Sequence, residues 1–216
     1  GRKSSLEEAR VTVTEIIERV RKDGDTALRQ MSRHVVLEDI AVSDEEREAA
    51  YDEVDDAIIE SLADAKNRIE RFHKLQKPRD LWLEEIEPGI VLGIKTTPLN
   101  RVGLYIPGGR AAYPSSALMC AIPAKVAGVP EIAAISPPPI SPMTLVALDL
   151  AGVTEIYRSG GAQAIAALAL GTESVKPVQK IVGPGNIYVT LAKMMLRETV
   201  EIDFPAGPSE IGIIAD

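Results

Sequence analysis

Ile156-Tyr157-Arg158-Ser159-Gly160-Gly161-Ala162-Gln163 and Ile181-Val182-Gly183-Pro184-Gly185-Asn186 are the two stretches that decide the fold. Each is an apolar strand that breaks at a pair of glycines and runs into a helix-forming segment, residues 164–170 in one case and 189–196 in the other. Glycine at such a turn lets backbone approach a ligand closely. The unpaired N–H groups of the helix that follows favour an anion. Two such turns, about two dozen residues apart, predict parallel strands whose carboxyl ends share one crevice, where open α/β sheets bind ligands.

Working outward, Val102-Gly103-Leu104-Tyr105-Ile106 reads as a strand ended by Pro107-Gly108-Gly109. A helix over 116–127, interrupted by Pro123, leads to the strand Ile132-Ala133-Ala134-Ile135, closed by Ser136 and three prolines. A helix over 143–151 stops at Gly152, and residues 211–215 read as a last strand. Strands separated by helices imply βαβ units with right-handed crossovers. The expected class is therefore α/β: a doubly wound, mostly parallel, incomplete Rossmann-like sheet over residues 100–216, truncated at its last strand.

Residues 1–99 read as a helical N-terminal region followed by a β-hairpin. Ser5-Leu6-Glu7-Glu8 and Ser43-Asp44-Glu45-Glu46 have the pattern of capping boxes. Helices are expected over 6–22, stopped by Asp23-Gly24, then over 26–34 with Asp25 as cap. A third helical region runs to residue 76, broken near Val54-Asp55, with Ile58, Ile59, Leu62, Ala65, Ile69 and Phe72 as its apolar stripe. Leu81-Trp82-Leu83 and Ile90-Val91-Leu92-Gly93-Ile94 flank the turn Glu87-Pro88-Gly89.

Composition narrows the function classes. The 216 residues carry a net charge of −8, with no Lys/Arg run, which argues against nucleic acid and anionic membranes as partners. A lone Cys120 in an apolar context predicts a buried thiol and no intrachain disulfide. No apolar run reaches transmembrane length, and the charged N-terminus does not resemble a signal peptide, so a cytoplasmic protein is expected.

Neither GxGxxG nor GxxxxGK[ST] occurs. Ser159-Gly160-Gly161-Ala162-Gln163 has the form of a phosphate cradle that presents a side-chain amide, and equally of a plain strand-to-helix turn. In Gly183-Pro184-Gly185-Asn186, Asn186 stands at a helix start, as a ligand contact or as an N-cap. Tyr105 at a strand end is placed to stack on a cofactor ring or simply to pack. Ser209 in Gly207-Pro208-Ser209-Glu210 is placed to donate to a substrate or to form a turn. His34 and His73 lie in the acidic helical part without HExxH or paired cysteines, and read as structural or solvated. The carboxylates Glu7, Glu8, Glu45, Glu46, Asp55 and Asp56 belong to helix starts. No general base stands beside a nucleophile.

Together, Val102-Gly103-Leu104-Tyr105-Ile106-Pro107-Gly108-Gly109, Ser136-Pro137-Pro138-Pro139, the run from Gly160 to Leu168, Gly171-Thr172-Glu173, Gly183-Pro184-Gly185-Asn186 and Pro205-Ala206-Gly207-Pro208-Ser209-Glu210 closely resemble the histidinol dehydrogenase family, in the same order and over residues 5–216. The resemblance implies NAD-dependent oxidation of L-histidinol to L-histidine through an aldehyde, at a zinc site, in a homodimer whose partner subunit completes each active site. It implies that Tyr105, Gln163 and Asn186 bind NAD and that Ser209 contacts substrate. The family's zinc ligands and its Glu-His catalytic pair lie beyond the part matched here, so no catalytic or metal-ligating residue is assigned. Arg33-His34 stands where the family usually has Phe-Asp, and reads as surface variation.

The chain is accordingly read as the N-terminal portion of such an enzyme, inactive alone, with a second copy or a separate C-terminal half as partner. An exposed edge at the terminal strand would also favour self-association. Two other readings compete: a non-catalytic nucleotide-binding or assembly module, and an NAD-dependent dehydrogenase of another amino- or sulfo-alcohol. Cofactor loops alone do not fix the substrate.

Overall fold

The strand β3 (Arg101–Tyr105) is buried along its whole length, as a strand covered on both faces of a parallel sheet must be. The computed structural model describes residues 2–32, 39–108, 111–205 and 212, with side chains from Leu6 onward. Around β3 stand β4 (Glu131–Ser136), β5 (Glu155–Arg158), β6 (Lys180–Val182) and β7 (Glu201–Ile202), in the spatial order β5-β4-β3-β6-β7. All neighbouring pairs are parallel. The chain steps outward from β3 through β4 to β5, then returns to the other side of β3. The topological switch therefore falls between β3 and β6. The doubly wound parallel class read from the sequence is what the backbone adopts; the strand expected over 211–215 lies outside the described residues.

Side-chain alternation builds two cores. Val102 and Leu104 of β3, with Ile132 and Ala134 of β4, face α4 (Pro114–Ala127) and α5 (Pro142–Leu150). Tyr105, Ala133, Ile135 and Ile181 face α6 (Gly161–Leu170) and α7 (Ile187–Leu196). The N-terminal helices supply the outer layers. Ala9, Val13, Ile17 and Val20 of α1 (Arg2–Met31) join the α6–α7 core. Leu62 of α3 (Asp56–Gln76), with Ile58, Ile59, Ala65 and Ile69 beside it, packs on the α4–α5 core. Phe72 leaves that stripe; it is 58% exposed and meets His73 edge-on. The free edge of β5 is covered by residues 40–42, through Val42 N–H to Ile156 O at 2.8 Å and Arg158 N–H to Ile40 O at 2.7 Å.

Local signals hold at some helix starts and fail at others. Ser43 caps α2 (Asp44–Ala49), with both hydrogen bonds of a capping box to Glu46. A short 3₁₀ turn (Ala50–Glu53) follows, and the chain breaks at Val54-Asp55 before α3, as read. Ser5, by contrast, stands inside α1, which already begins at Arg2. Gly24, at φ 50° and ψ −129°, is non-helical and divides α1 into two helical segments at the stop read from Asp23-Gly24. Asp25 does not cap the second segment either; its carboxylate accepts from Ser174 N–H at 3.2 Å and Ser174 O–H at 2.5 Å. Tertiary partners across the fold outcompete the local cap there. Pro123 is accommodated within α4, and Gly128 ends that helix in the left-handed conformation.

The hairpin forms as expected. β1 (Leu81–Glu87) and β2 (Ile90–Lys95) pair antiparallel across Pro88-Gly89, with Gly89 at φ 83°. Every residue in both strands is exposed, including Leu83, Ile86, Val91, Leu92 and Ile94.

Candidate functional site

Three elements converge on Tyr105 at the carboxyl end of β3. Its ring is buried, with 4% of the residue exposed, among the residues that face α6 and α7. Its hydroxyl oxygen accepts a hydrogen bond from Gly161 N–H at 3.2 Å, at the start of α6. Its backbone carbonyl lies so close to Gly183 that a Cβ there would come within 2.1 Å of the oxygen. Gly183 is buried at φ 124°, a conformation open to glycine almost alone. The turns after β5 and β6 thus meet at the end of the strand that borders the topological switch.

Gln163 sits in the first turn of α6, half-buried, with its amide oxygen folded over Gly161. Gly161 itself has φ 70°. Asn186 is exposed and caps α7: Oδ1 accepts from Tyr188 N–H at 3.0 Å and Val189 N–H at 3.1 Å. That is the capping role weighed in the sequence, and it leaves the amide nitrogen free to donate. Burial pushes the Tyr105 hydroxyl above its ordinary pKa, against a smaller lowering effect of the Gly161 N–H. The phenol therefore keeps its proton at neutral pH and has one donor left.

Tyr105, Gln163 and Asn186 thus lie on three elements that meet at the strand ends. Ser209 and His34 lie outside the described residues. His73 is in the last turn of α3, beside Phe72. Among the described residues, no group of three or more His, Cys, Asp or Glu is arranged to hold a metal ion. Cys120 is partly buried and free; burial chiefly, with nearby Asp203, raises its thiol pKa to about 11, so it stays protonated and unreactive.

Sequence reasoning missed one feature of the site. Lys193 of α7 is buried, donates to Gly183 O at 2.9 Å and pairs with Asp203, which itself accepts from Gly183 N–H at 2.8 Å. The available signal was a lysine set within the apolar run Leu191-Ala192-Lys193-Met194. On the opposite, α4-facing side of the sheet runs a groove of about 730 Å³, lined by Val102, Met119, Cys120, Pro123, Val182 and Phe204 among others. Its lining also includes Gly183, Pro184 and Asp203, so it reaches the turn that leads into α7.

The family model for histidinol dehydrogenase matches residues 1–216. The chain belongs to that family. It is 50% identical to histidinol dehydrogenase of Methanothermobacter thermautotrophicus over 94% of this chain and 49% of that protein. It is 49% identical to that of Archaeoglobus fulgidus, over 100% of this chain and 55% of that protein. A crystal structure of histidinol dehydrogenase from Elizabethkingia anophelis superposes with a TM-score of 0.88 at 38% identity, covering 92% of this chain and 47% of the other. The chain spans about half the length of these histidinol dehydrogenases. Among the described residues, no helix is long and apolar enough to cross a membrane.

Proposed function

We propose that this chain supplies the cofactor-binding side of a cytoplasmic histidinol dehydrogenase, which oxidises L-histidinol to L-histidine through the aldehyde with NAD as acceptor. Membership of the family supports the activity. The observation that carries the cofactor side is the meeting of the α6 start and the Gly183–Asn186 turn at Tyr105, beside the topological switch. The donors there suit a dinucleotide: the α6 start offers backbone N–H groups to its phosphates, and Gln163 and Asn186 offer amide donors. NAD, when bound, accepts hydride; the chain's own residues bind and orient it. Ser209 is proposed to contact histidinol.

Zinc and the acid–base groups belong, in this reading, to the family's second half. The chain alone is therefore expected to turn over no histidinol. A second copy of the chain or a separate C-terminal half is the proposed partner. The exposed apolar hairpin and the groove beside α4 favour one, since apolar surface of this extent is unusual on a lone chain.

Calorimetric titration with NAD, followed by an assay with L-histidinol, NAD and zinc, tests the reading. NAD binding by this chain, with turnover only when the second half is present, is the expected result. Turnover by this chain alone would overturn the assignment of catalytic groups to the other half. Turnover of another amino- or sulfo-alcohol in preference to histidinol would move the substrate. NAD binding with no turnover in any combination would leave a nucleotide-binding assembly module.

A further inference from the structure

The ladder between β3 and β6 ends at the pair Leu104 and Val182. Gly183, one residue further, is buried and beyond the reach of either neighbouring strand's pairing. A buried N–H or C=O without a partner is costly, so both its polar groups need one. Both find it in a single charged pair. Asp203, just past β7, accepts the Gly183 N–H through Oδ2 at 2.8 Å. Lys193, from the middle of α7, donates to the Gly183 carbonyl at 2.9 Å and closes the ring by pairing with Asp203 Oδ1. The lysine side chain is 7% exposed and the aspartate 30%.

We propose that Lys193 and Asp203 are positioning residues for the cofactor turn: by gripping both peptide groups of Gly183, they set the direction in which Pro184-Gly185-Asn186 leaves the sheet and so aim the Asn186 amide at the dinucleotide. The proposal rests on the cofactor reading above. Gly183 is held on both sides, its carbonyl by Lys193 and its N–H by Asp203, and the Tyr105 carbonyl stands where a Cβ would be. Pro184 then restricts φ at the next residue, and Asn186 locks onto α7 through its cap. Strand, turn and helix start move as one unit only while the pair is intact.

A purely structural pair would stabilise the fold without touching the cofactor. The same sheet provides the control. Arg101, 8% exposed, pairs with Glu155, 34% exposed, at the amino-terminal end of the strands, far from the turn. Asp203→Asn, Lys193→Met and Glu155→Gln are to be compared in the protein expressed from its complete reading frame, by thermal unfolding, NAD titration and steady-state kinetics. All three variants are expected to melt earlier. Only Asp203→Asn and Lys193→Met are expected to raise the Kd and KM for NAD, by about tenfold, with kcat much less affected. Lys193→Arg, which keeps charge and donors, is expected to recover most of the affinity; if Lys193→Met does not fold, this variant and Asp203→Asn carry the test.

Unchanged NAD affinity in a folded Asp203→Asn that melts as early as Glu155→Gln would overturn the proposal and leave the pair structural. A wild-type protein that binds no NAD would overturn the cofactor reading itself, and the proposal with it.

Discussion

Gly161 N–H donates to the Tyr105 hydroxyl across 3.2 Å, tying the start of α6 to the end of the central strand. The bond fixes where the first free N–H groups of α6 point, and it leaves the phenol's own proton available. In Tyr105→Phe the Gly161 N–H loses its acceptor in a partly buried position, a loss of about 1–2 kcal/mol of stability. NAD is expected to bind severalfold more weakly. Urea unfolding and NAD titration read the two effects separately. Unchanged NAD affinity with lowered stability would assign Tyr105 to packing alone.

Gly183 and Gly89 both have positive φ, at 124° and 83°, yet they stand in opposite surroundings. A Cβ at Gly183 would meet the Tyr105 carbonyl oxygen at 2.1 Å, whereas at Gly89 nothing lies within 4 Å. Gly89→Ala should therefore cost only backbone strain, of order 1 kcal/mol. Gly183→Ala adds a clash against backbone and breaks the grip of Lys193 and Asp203, so it should lose several kcal/mol, among the largest single-residue effects. Chemical denaturation of the two variants side by side checks the ranking.

Much of this arrangement was legible in the sequence because it is encoded locally. Glycine pairs after short apolar runs marked the two turns, and the cap was one of the two roles open to Asn186 at its helix start. The alternation of strands and helices implied the parallel sheet. What stayed hidden depends on partners distant in the chain. Asp25 has the residue type of a cap, but Ser174 takes its carboxylate. Lys193 and Asp203 look unrelated until α7 and β7 lie side by side. β7 itself, only two residues long, is too short for any pattern to reveal. Tyr105 appeared as a possible stacking platform, but burial turns its ring into core and leaves only the hydroxyl for a ligand.

Arg101 makes the sheet's amino-terminal end sensitive to acid. It donates to Glu155 at 2.6 and 2.9 Å and to Glu131 at 2.8 Å. The Arg101 hydrogen bonds hold the Glu155 carboxyl below its ordinary pKa, outweighing burial. A carboxylate whose folded pKa is lowered stabilises the fold above its unfolded pKa, near 4, and that stability is lost as pH falls through the folded value. Stability of the wild type should therefore drop on acidification below about pH 4, and Glu155→Gln should flatten that part of the profile. Because Glu155 is a third exposed, the cost of the substitution at neutral pH should fall short of the ~3–5 kcal/mol typical of a fully buried pair. Unfolding free energies measured between pH 3 and 7 test both parts.

Asp25 and Glu173 clasp the kink of α1 to the loop after α6. Asp25 N–H donates to Glu173 Oε2 at 2.7 Å, while the Asp25 carboxylate takes both donors of Ser174. The Glu173 carboxylate lies against Gly24, where a Cβ would meet it at 2.3 Å. The stretch Gly171-Thr172-Glu173 thus has a structural use: it anchors the long helix that covers α6. Asp25→Ala removes charge-assisted hydrogen bonds and should cost about 2–3 kcal/mol. Ser174→Ala alone should cost less, and the double variant should lose little more than Asp25→Ala, giving a coupling on the order of 1–2 kcal/mol. The clasp sits past the carboxyl end of α6, whereas Gln163 lies in its first turn. NAD affinity should therefore stay at the wild-type value in Asp25→Ala under native conditions. A weakened cofactor site in that variant would mean that α1 steadies the whole of α6, including the turn that faces the crevice.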